Sequence, residues 1–318
     1  MKILITGVHG FVGSNLVKSL GENHEIYGLD IISSEKSGII KTFSWDDLDS
    51  GNIPEIEAVI HLAGKAHDTK NKAQSEVYFK VNTELTKKIF DWFSARNASK
   101  FIFFSSVKAA VDKVPGDVLT EDVEVNPVGP YGESKILAEK YIQQALDESP
   151  ERYDGRDVII LRPCMIHGPG NKGNLNLLYG VISKGIPWPL GAFENKRTFT
   201  SIDNLSFVIG KLLNTKVDSG IYNMADDEAL STNELIDVMC KAMGKNSHIW
   251  KLPINLIKIG ARFGDFLHLP LNTFRLGKLT ENYVVSNNKI KRALEIEQMP
   301  INAREGLTDT IKSFKNHV

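Results

Sequence analysis

The sequence predicts an α/β fold in which a doubly wound parallel sheet is joined to a smaller C-terminal lobe. Three observations support this fold class. Short apolar runs alternate with longer amphipathic stretches in the first half of the chain, a glycine-rich turn follows the first run, and the alternation ends after Arg162. Alternating strand and helix patterns are typical of a parallel sheet covered by helices on both faces.

Five short runs rich in Ile, Val and Phe predict the strands of this sheet. Most are apolar on successive residues, as expected for parallel strands that are buried on both faces. They are Lys2–Thr6, Glu25–Leu29, Ala58–Leu62, Lys100–Phe104 and Val158–Leu161. Helices are predicted between them, and one carries an apolar stripe made of Val77, Val81, Leu85, Ile89 and Trp92.

The C-terminal part of the chain lacks the regular alternation of strand and helix patterns. Gly, Pro and Asn concentrate between residues 163 and 191, a short strand is predicted at Ile221–Met224, and Ser231 with Glu234 forms a capping box before a helix. A further helix carries four apolar residues on one face, for which we expect packing in the core of the small lobe rather than contact with a membrane surface or a partner. These four are Leu256, Ile259, Phe263 and Phe266.

Composition excludes several classes of protein. The 318 residues have a formal net charge of -1 and no polybasic run, so nucleic acid and anionic membranes are poor candidates for partners. Two cysteines are too few for a disulfide framework or a zinc site, and we expect no metal. No signal peptide or membrane span is evident, which predicts a cytoplasmic protein without membrane insertion.

The segment Gly7–Gly13 predicts a dinucleotide site. Its G-x-x-G-x-x-G spacing follows a strand and opens an amphipathic helix, whose N-terminus presents free N–H groups to phosphates. A plain glycine turn is the alternative. The cofactor residues expected here are Gly7, Gly10, Phe11, Val12 and Gly13. Residues 1–165 are therefore expected to be mainly an NAD-binding Rossmann domain, and 166–318 mainly a substrate-binding lobe, with about 196–225 returning to the Rossmann domain.

Asp30 ends the second strand, where a carboxylate can accept hydrogen bonds from the adenosine ribose. It would repel a 2′-phosphate, and no Arg lies near it, so NAD is favoured over NADP. The alternative is a solvated Asp at a strand end. Asp47 and Leu48 are candidates for the adenine edge, although an acidic surface turn explains them equally well.

Tyr131 and Lys135 lie four residues apart, on one face of a predicted helix. A neighbouring cation and an oxidised nicotinamide would favour the phenolate of Tyr131, which could then exchange a proton with a substrate hydroxyl. Lys135 would also hold the nicotinamide ribose. Ser106 follows a strand at the ligand edge of the sheet and is expected to bond the reacting oxygen. The alternatives are a snorkelling lysine beside a half-buried tyrosine, and a serine helix cap.

The combination resembles the extended short-chain dehydrogenase/reductase family, and within it the branch of nucleotide-sugar epimerases and dehydratases. The motifs that carry the resemblance occur in order: Gly7–Gly13, Asp30, His61–Gly64, Ser105–Ser106, Tyr131 with Lys135, and Arg162–Pro163. The resemblance implies a Rossmann domain with a small substrate lobe and a catalytic triad of Ser106, Tyr131 and Lys135. The cofactor contacts that accompany it are Leu62, Ala63, Gly64, Lys135 and Pro163.

Later segments imply contacts with a nucleotide sugar. Leu161–Gly170 is similar to the family's R-P-x-x-x-Y-G-P-G stretch, with His167 in place of the usual Tyr, and Arg197–Leu205 is similar to a block whose Arg binds the diphosphate. Each basic residue could instead be a solvated charge, and Lys278 is an alternative to Arg275. The substrate contacts expected from the resemblance are Lys108, Asn174 (in the segment Lys172–Asn174), Arg197 and Arg275.

Sugar 4,6-dehydratases of this branch carry Asp-Glu directly after the catalytic hydroxyl residue, where this chain has Val107 and Lys108. Without these carboxylates we expect no dehydratase. The first hypothesis is an NAD-dependent epimerase that acts at carbon 4 of a UDP-hexose or UDP-N-acetylhexosamine through a 4-keto intermediate. The second is an NAD(P)H-dependent 4-ketoreductase of a UDP-4-keto-6-deoxyhexosamine in surface polysaccharide synthesis, and the third a non-catalytic dinucleotide sensor. The resemblance also implies a homodimer.

Overall fold

A computed structural model describes residues 1–32, 34–65, 74–171, 173–267 and 272–315 of the chain. The strands in these ranges are β1 (Lys2–Thr6), β2 (Glu25–Leu29), β3 (Lys41–Phe43), β4 (Ala58–His61), β5 (Lys100–Phe104), β6 (Asp157–Pro163), β7 (Met165–His167), β8 (Arg197–Ser201), β9 (Gly220–Met224) and β10 (Ala229–Leu230).

The helices in the same ranges are α1 (Phe11–Leu20), α2 (Asp47–Ser50), α3 (Ser75–Tyr78), α4 (Leu85–Ser94), α5 (Val107–Ala110), α6 (Pro130–Glu148), α7 (Asn174–Ile182), α8 (Ile202–Asn214), α9 (Thr232–Met243), α10 (Ile254–Phe266), α11 (Thr273–Thr280), α12 (Asn288–Ala293) and α13 (Ala303–Lys315). A π-helical turn, Phe79–Glu84, connects α3 to α4 without a break, and a 3₁₀ turn, Pro150–Tyr153, follows α6.

Within the described ranges, seven strands form one parallel sheet in the order β3-β2-β1-β4-β5-β6-β9. The chain builds outward from β1 to β3, then returns to β4 on the other side of β1. This reversal opens a crevice at the carboxyl ends of β1 and β4, where open α/β sheets bind their ligands. The α/β fold with a doubly wound parallel sheet is therefore confirmed.

Both faces of the sheet are buried, which explains the unbroken apolar runs in the sequence. Along β1, Ile3 and Ile5 lie in the hydrophobic core that includes residues of α1 and α8, whereas Leu4 lies in the opposite core with residues of α4 and α6. Each buried aliphatic side chain contributes about 1.5–3 kcal/mol relative to an exposed one. The three-residue strand β3 was not predicted from the sequence. Phe43 is its one fully buried residue, so it lacks an apolar run.

A second, smaller sheet has the order β10-β8-β7, with β7 parallel and β10 antiparallel to β8. The predicted capping box begins α9: the Ser231 hydroxyl accepts from the Glu234 N–H at 3.1 Å, and the Glu234 carboxylate accepts from the Ser231 N–H at 2.8 Å. That prediction is confirmed. The proposed division of the chain near residue 165 stays a prediction.

The expectation for α10 is wrong. Its apolar residues Leu256, Ile259, Phe263 and Phe266 are 58%, 51%, 63% and 81% exposed. The side of α10 that packs on the lobe carries Ile257, Ala261 and Gly264 instead. Periodicity in the sequence identifies an apolar face, but it does not identify what covers that face. We refer to Leu256, Ile259, Phe263 and Phe266 as the exposed face of α10.

None of the helices in the described part of the chain is long and apolar enough to cross a bilayer. The same residues contain no group of three or more side chains suited to hold a metal ion.

Candidate functional site

The β1–α1 turn has the shape of a phosphate cradle. Gly7 has a φ of +68°, and a Cβ there would lie 2.9 Å from the backbone nitrogen of Ala63. A Cβ at Gly13 would lie 2.5 Å from the carbonyl oxygen of Gly7, so α1 could not pack this closely on the turn with a larger residue. Gly10 caps α1, and Phe11 and Val12 form its first turn. The five residues predicted from the glycine motif are thus brought together.

Asp30 lies beside this turn at the end of β2. Its carboxylate accepts hydrogen bonds from the backbone N–H of His9 at 3.0 Å and of Ile31 at 2.7 Å. An ionised carboxylate offers about four acceptor sites, so Asp30 keeps capacity for ribose hydroxyls. Lys36 donates to the hydroxyl of Ser14 on α1, which brings a cation to this region that the sequence analysis did not weigh.

Asp47 and Leu48 are placed at the start of α2. The Asp47 carboxylate accepts from the N–H and the hydroxyl of Ser44, both at 2.8 Å, and these bonds hold the pKa of Asp47 below its ordinary value. The Leu48 side chain is buried in the hydrophobic core beside the sheet. The expected contact of this pair with adenine stays a prediction.

A buried histidine fixes the turn that contains Leu62, Ala63 and Gly64. The Thr86 hydroxyl donates to the carbonyl of Asn82 at 2.7 Å and lies 2.9 Å from Nε2 of His61. Since that hydroxyl proton is already used, Nε2 must carry the histidine proton. Nδ1 is then the acceptor for the hydroxyl of Thr6 at 2.7 Å. Burial lowers the pKa of His61 well below its ordinary value, which keeps it in this neutral form.

The same threonine hydroxyl holds the following residues. Thr6 Oγ1 accepts from the N–H of Leu62 at 3.1 Å and of Ala63 at 2.9 Å. The chain leaving β4 is therefore anchored to the end of β1, directly at the crevice where the strand order reverses.

Ser106, Tyr131 and Lys135 meet at the carboxyl end of β5. The Ser106 side chain lies beside the phenol of Tyr131 and, by hydrogen bonding, lowers the pKa of that phenol. The ammonium of Lys135, on α6, donates to the carbonyl of Phe104 at 2.8 Å. Ser106 Oγ also accepts from the N–H of Lys108 at 3.2 Å and caps α5. The two interpretations of Ser106 from the sequence, a helix cap and a partner of the reacting groups, are thus compatible.

Burial controls the ionisation of this group. It lowers the pKa of Lys135 to about 8 and raises the pKa of Tyr131 above its ordinary value, although the bond from Ser106 opposes the latter shift. At neutral pH the Tyr131 phenol therefore keeps its proton and is a proton donor. A positive charge placed next to it would favour the phenolate and convert it into a base.

Asn82 was missed by the sequence analysis. It lies buried in the π-helical turn Phe79–Glu84, and such turns are frequent at functional sites. Its side chain accepts from the N–H of Lys65 at 2.7 Å and donates to the Ser134 hydroxyl at 3.0 Å. Asn82 therefore ties the segment after Gly64 to the helix that carries Tyr131 and Lys135. Nothing in its spacing signals this role.

A buried ion pair fixes α6 against the sheet. The Arg162 guanidinium donates to the Glu139 carboxylate at 2.5–3.1 Å, and both side chains are almost fully buried. The hydroxyl of Ser105 donates to the same carboxylate. Because Ser105 precedes Ser106 and Glu139 follows Lys135 by one helical turn, this pair fixes how the two catalytic candidates approach each other.

Charged side chains gather around α5, the short helix that Ser106 caps. The Lys278 ammonium donates to both oxygens of Asp112 at 2.8 and 2.9 Å, and the Lys108 ammonium lies 3.4 Å from the same carboxylate. Arg197 pairs with Glu281 at 3.2 Å. We call these five residues the basic cluster. With three cations against two carboxylates it has a net positive charge, which suits an anionic ligand.

The remaining substrate candidates lie on α11 and α7. Arg275 is exposed on α11, one turn before Lys278, and Asn174 occupies the first position of α7. Lys172 lies outside the described residues. Of the two basic residues considered on α11, Lys278 is the one that bonds to Asp112. Asp112 and Glu281 were missed because folding brings Asp112 to Lys278, 166 positions away, and Glu281 to Arg197, 84 positions away.

Three residues that follow Arg162 contact other residues of the chain. Pro163 ends β6 beside Met224. The buried Cys164 thiol contacts the Thr198 hydroxyl at 3.2 Å, and burial raises its pKa to about 12, so it is no nucleophile at neutral pH. His167, in place of the family's usual Tyr, is buried and lies 2.9 Å from the Thr310 hydroxyl of α13.

Comparison with known proteins supports a specific family. The family model described as the NAD dependent epimerase/dehydratase family matches residues 3–225. UDP-glucose 4-epimerase of Vibrio cholerae is 31% identical over 266 residues, covering 79% of this chain and 78% of that protein. An N-acetyl-α-D-glucosaminyl-diphospho-ditrans,octacis-undecaprenol 4-epimerase of Escherichia coli O157:H7 is 26% identical over 297 residues, covering 91% of this chain and 84% of that protein.

Solved structures agree on the fold. MoeE5 in complex with UDP-glucuronic acid and NAD superposes with a TM-score of 0.75 at 20% identity over the whole of both chains. UDP-N-acetylglucosamine 4-epimerase from Methanobrevibacter ruminantium M1 superposes with a TM-score of 0.75 at 19% identity, covering 100% of this chain and 99% of that one. Together with the match to the family model, the glycine turn and the Ser–Tyr–Lys group lead to one conclusion: the chain belongs to the NAD-dependent epimerase/dehydratase family.

Proposed function

We propose that the protein is an NAD-dependent epimerase that inverts carbon 4 of a UDP-hexose or UDP-N-acetylhexosamine through a 4-keto intermediate. The observation that carries this proposal is the placement of Ser106 beside Tyr131 at the carboxyl end of β5, with Lys135 buried on the same helix as Tyr131. This group lies at the carboxyl edge of the sheet, next to the dinucleotide turn. The Vibrio cholerae relative, named as a UDP-glucose 4-epimerase, supports the same reaction.

The residues fit NAD. Gly7 and Gly13 let the turn and α1 pack closely on neighbouring backbone, and the N-terminus of α1 would bind the pyrophosphate. Asp30 would offer its carboxylate to the ribose. The turn from Leu62 to Gly64, Lys135 and Pro163 would hold the nicotinamide half. NAD held by these residues would supply the hydride acceptor and donor for carbon 4.

Tyr131 moves the proton in this account. As phenolate it accepts the proton of the 4-hydroxyl, and as phenol it gives the proton back to the 4-keto oxygen. Ser106 donates a hydrogen bond to the reacting oxygen and thereby stabilises its developing negative charge. Lys135, held by the Phe104 carbonyl, supplies the positive charge that stabilises the phenolate.

The basic cluster would bind the substrate diphosphate. Arg197 offers a permanently charged, planar donor, and Lys108 and Lys278 add two ammonium groups. Asn174 and Arg275 complete the set of proposed substrate contacts. Since the cluster adjoins α5, which Ser106 caps, a diphosphate there would leave the sugar ring near Tyr131.

We infer that the protein is not a 4,6-dehydratase, since Val107 is buried and Lys108 is paired with Asp112 where a proton-shuttling Asp-Glu pair would be needed. A 4-ketoreductase remains the alternative. It shares the triad, so the fate of the cofactor distinguishes the two: an epimerase regenerates NAD in each cycle, whereas a reductase consumes NAD(P)H.

A sugar linked to a lipid diphosphate instead of UDP has specific support as a second candidate substrate. The Escherichia coli relative is named for a sugar linked to undecaprenyl diphosphate, which offers the same diphosphate but a lipid in place of uridine. The exposed face of α10 adjoins α11, the helix that contributes Lys278 to the basic cluster. A lipid-linked sugar in polysaccharide synthesis is therefore the second candidate substrate.

We also propose a homodimer that pairs through α3–α4 and α6 of each subunit. On these helices Val77 and Leu137 are exposed in the single chain, although Ile89 and Trp92 are buried against the sheet. Sedimentation that gives only the monomer mass at micromolar concentration would remove this proposal.

The test is to denature the purified protein, identify any released dinucleotide by mass, and incubate the native protein with UDP-glucose and UDP-N-acetylglucosamine without added cofactor. Retained NAD and formation of the 4-epimer are expected. An empty protein that turns over only with added NADPH or NADH would establish the ketoreductase instead.

A further inference from the structure

Two further exposed aromatic residues lie on segments that adjoin α10 in sequence or in packing. Trp250, just before the helix, is 54% exposed, and Phe274, at the start of α11, is 71% exposed. Helix α11 packs against α10, and the Asp265 carboxylate accepts from the N–H of Thr273 at 3.0 Å. We call the exposed face of α10 together with Trp250 and Phe274 the aromatic surface. Contiguous exposed patches of this kind mark interaction sites.

The arrangement of residues around α10 is that of an interfacial helix. At 100° per residue, Leu256, Ile259, Phe263 and Phe266 cover an arc of about 80°, opposite the side on which Ile257 and Ala261 are buried. Beyond this arc, Arg262 lies about 40° from its edge and Lys258 about 80° from it. Long cationic side chains next to aromatic and aliphatic residues are typical of helices that lie in the plane of a membrane interface.

The charge around the aromatic surface is positive. Lys251, Lys258 and Arg262 are exposed, and within the described ranges no carboxylate forms an ion pair with any of them. Asp265, the acidic residue of α10, lies about 60° from Arg262 around the helix and bonds to Thr273, so three cations face one carboxylate here. The net charge of -1 over the whole chain conceals this local excess, which is why composition alone argued against an anionic membrane.

We propose that the aromatic surface docks on the surface of an anionic lipid bilayer. The phenylalanine and tryptophan rings would enter the headgroup region, and Lys251, Lys258 and Arg262 would contact lipid phosphates. A second copy of the chain is a poorer occupant. Two-fold pairing through this surface brings the same uncompensated cations of both subunits close together.

Docking here would hold the substrate site next to the membrane. The Lys278 ammonium lies 6.0 Å from the centre of the Phe274 ring and also bonds to Asp112 in the basic cluster. A ligand in that cluster is thus one side chain away from the aromatic surface. Membrane docking itself does not depend on the proposed epimerase activity, and the test below measures binding rather than turnover.

The test is co-sedimentation of the full-length protein with vesicles of mixed phosphatidylglycerol and phosphatidylcholine, and with vesicles of phosphatidylcholine alone. We expect binding to the anionic vesicles that weakens in high salt. The double variant Phe263→Ser/Phe266→Ser should bind at least about tenfold more weakly, because two rings no longer enter the interface. Ile40→Ser/Val118→Ser, at two exposed apolar residues elsewhere, is the matched control and should bind like the wild type.

A second variant keeps the apolar residues and removes the charges. Lys258→Gln/Arg262→Gln should lower binding to the anionic vesicles by about tenfold or more, since each cation near such a surface contributes roughly fivefold. This variant carries the test if the serine variant does not fold. Wild-type protein that stays in the supernatant with anionic vesicles overturns the proposal. Self-association that is lost in Phe263→Ser/Phe266→Ser, without vesicle binding, overturns it in favour of a second copy.

Discussion

The side-chain amide of Asn82 donates to the hydroxyl of Ser134 at 3.0 Å and so ties the π-helical turn to the helix of Tyr131 and Lys135. The same side chain exchanges hydrogen bonds with the backbone of Lys65 at 2.7 and 3.2 Å. Three segments that border the candidate site thus depend on one buried amide.

Replacing Asn82 by Ala should therefore affect both stability and turnover. Loss of three buried hydrogen bonds is expected to lower the free energy of unfolding by about 2–4 kcal/mol. Displacement of α6 should reduce kcat by at least about tenfold. Urea denaturation and steady-state kinetics measure the two effects, and Asn97→Ala, at an exposed position, is the control. Wild-type values for both in Asn82→Ala would refute the positioning role.

Tyr131→Phe removes the proposed acid and base without changing the shape of the site. We expect kcat to fall by about a thousandfold while KM changes little, because general acid–base catalysis is lost and substrate contacts are kept. Tyr141→Phe is the matched control, since Tyr141 lies elsewhere on α6 and its hydroxyl donates to Asp91 of α4. Turnover by Tyr131→Phe at the wild-type rate would contradict the mechanism.

The buried charge of Lys135 is expected to lower the free energy of unfolding. Burial lowers its pKa from 10.5 to about 8, so between pH 8 and 10.5 the unfolded chain binds a proton that the folded protein has released. Stability therefore rises with pH across that window, and the full penalty is present below pH 8.

Lys135→Met should remove this penalty, raising the free energy of unfolding at pH 7 by about 2 kcal/mol in dinucleotide-free protein and flattening its pH dependence. The same variant should be inactive. Urea denaturation across the pH range measures the effect, with Lys140→Met, exposed on the same helix, as control. A lower stability of Lys135→Met at pH 7 would mean that the buried charge is not a net cost.

Lys278 is expected to contribute to substrate binding through the basic cluster. Lys278→Gln should raise KM for the sugar diphosphate by about tenfold and leave kcat within about twofold, since the ammonium lies away from the reacting atoms. Lys291→Gln is the control, because Lys291 forms a comparable ion pair with Asp227 outside the site. An unchanged KM in Lys278→Gln would contradict the proposal that the basic cluster binds the substrate diphosphate.

The parts of the candidate site that could be proposed from the sequence are those that depend on local chemistry. The glycine turn, Asp30 and the Tyr131–Lys135 spacing are each recognisable within one segment, and the structure brings them to one edge of the sheet. The apolar strands were equally evident, because parallel strands must be buried on both faces.

Other features depend on residues that are distant in the chain. Asp112 meets Lys278 across 166 positions, and Asn82 acquires its role only when the π-helical turn packs beside Ser134. The four apolar residues of α10 were assigned to the core because periodicity cannot distinguish a covered face from an exposed one. Only the packing of Ile257 and Ala261 decides that orientation.

The measurement that most directly tests the central claim is conversion of UDP-N-acetylglucosamine and UDP-glucose in D₂O by the purified protein without added dinucleotide. If hydride leaves carbon 4 and returns within the same site, the 4-epimer forms and carries no solvent deuterium at carbon 4. Failure to form either epimer unless NADH or NADPH is supplied, or deuterium at carbon 4 of the product, would contradict the account.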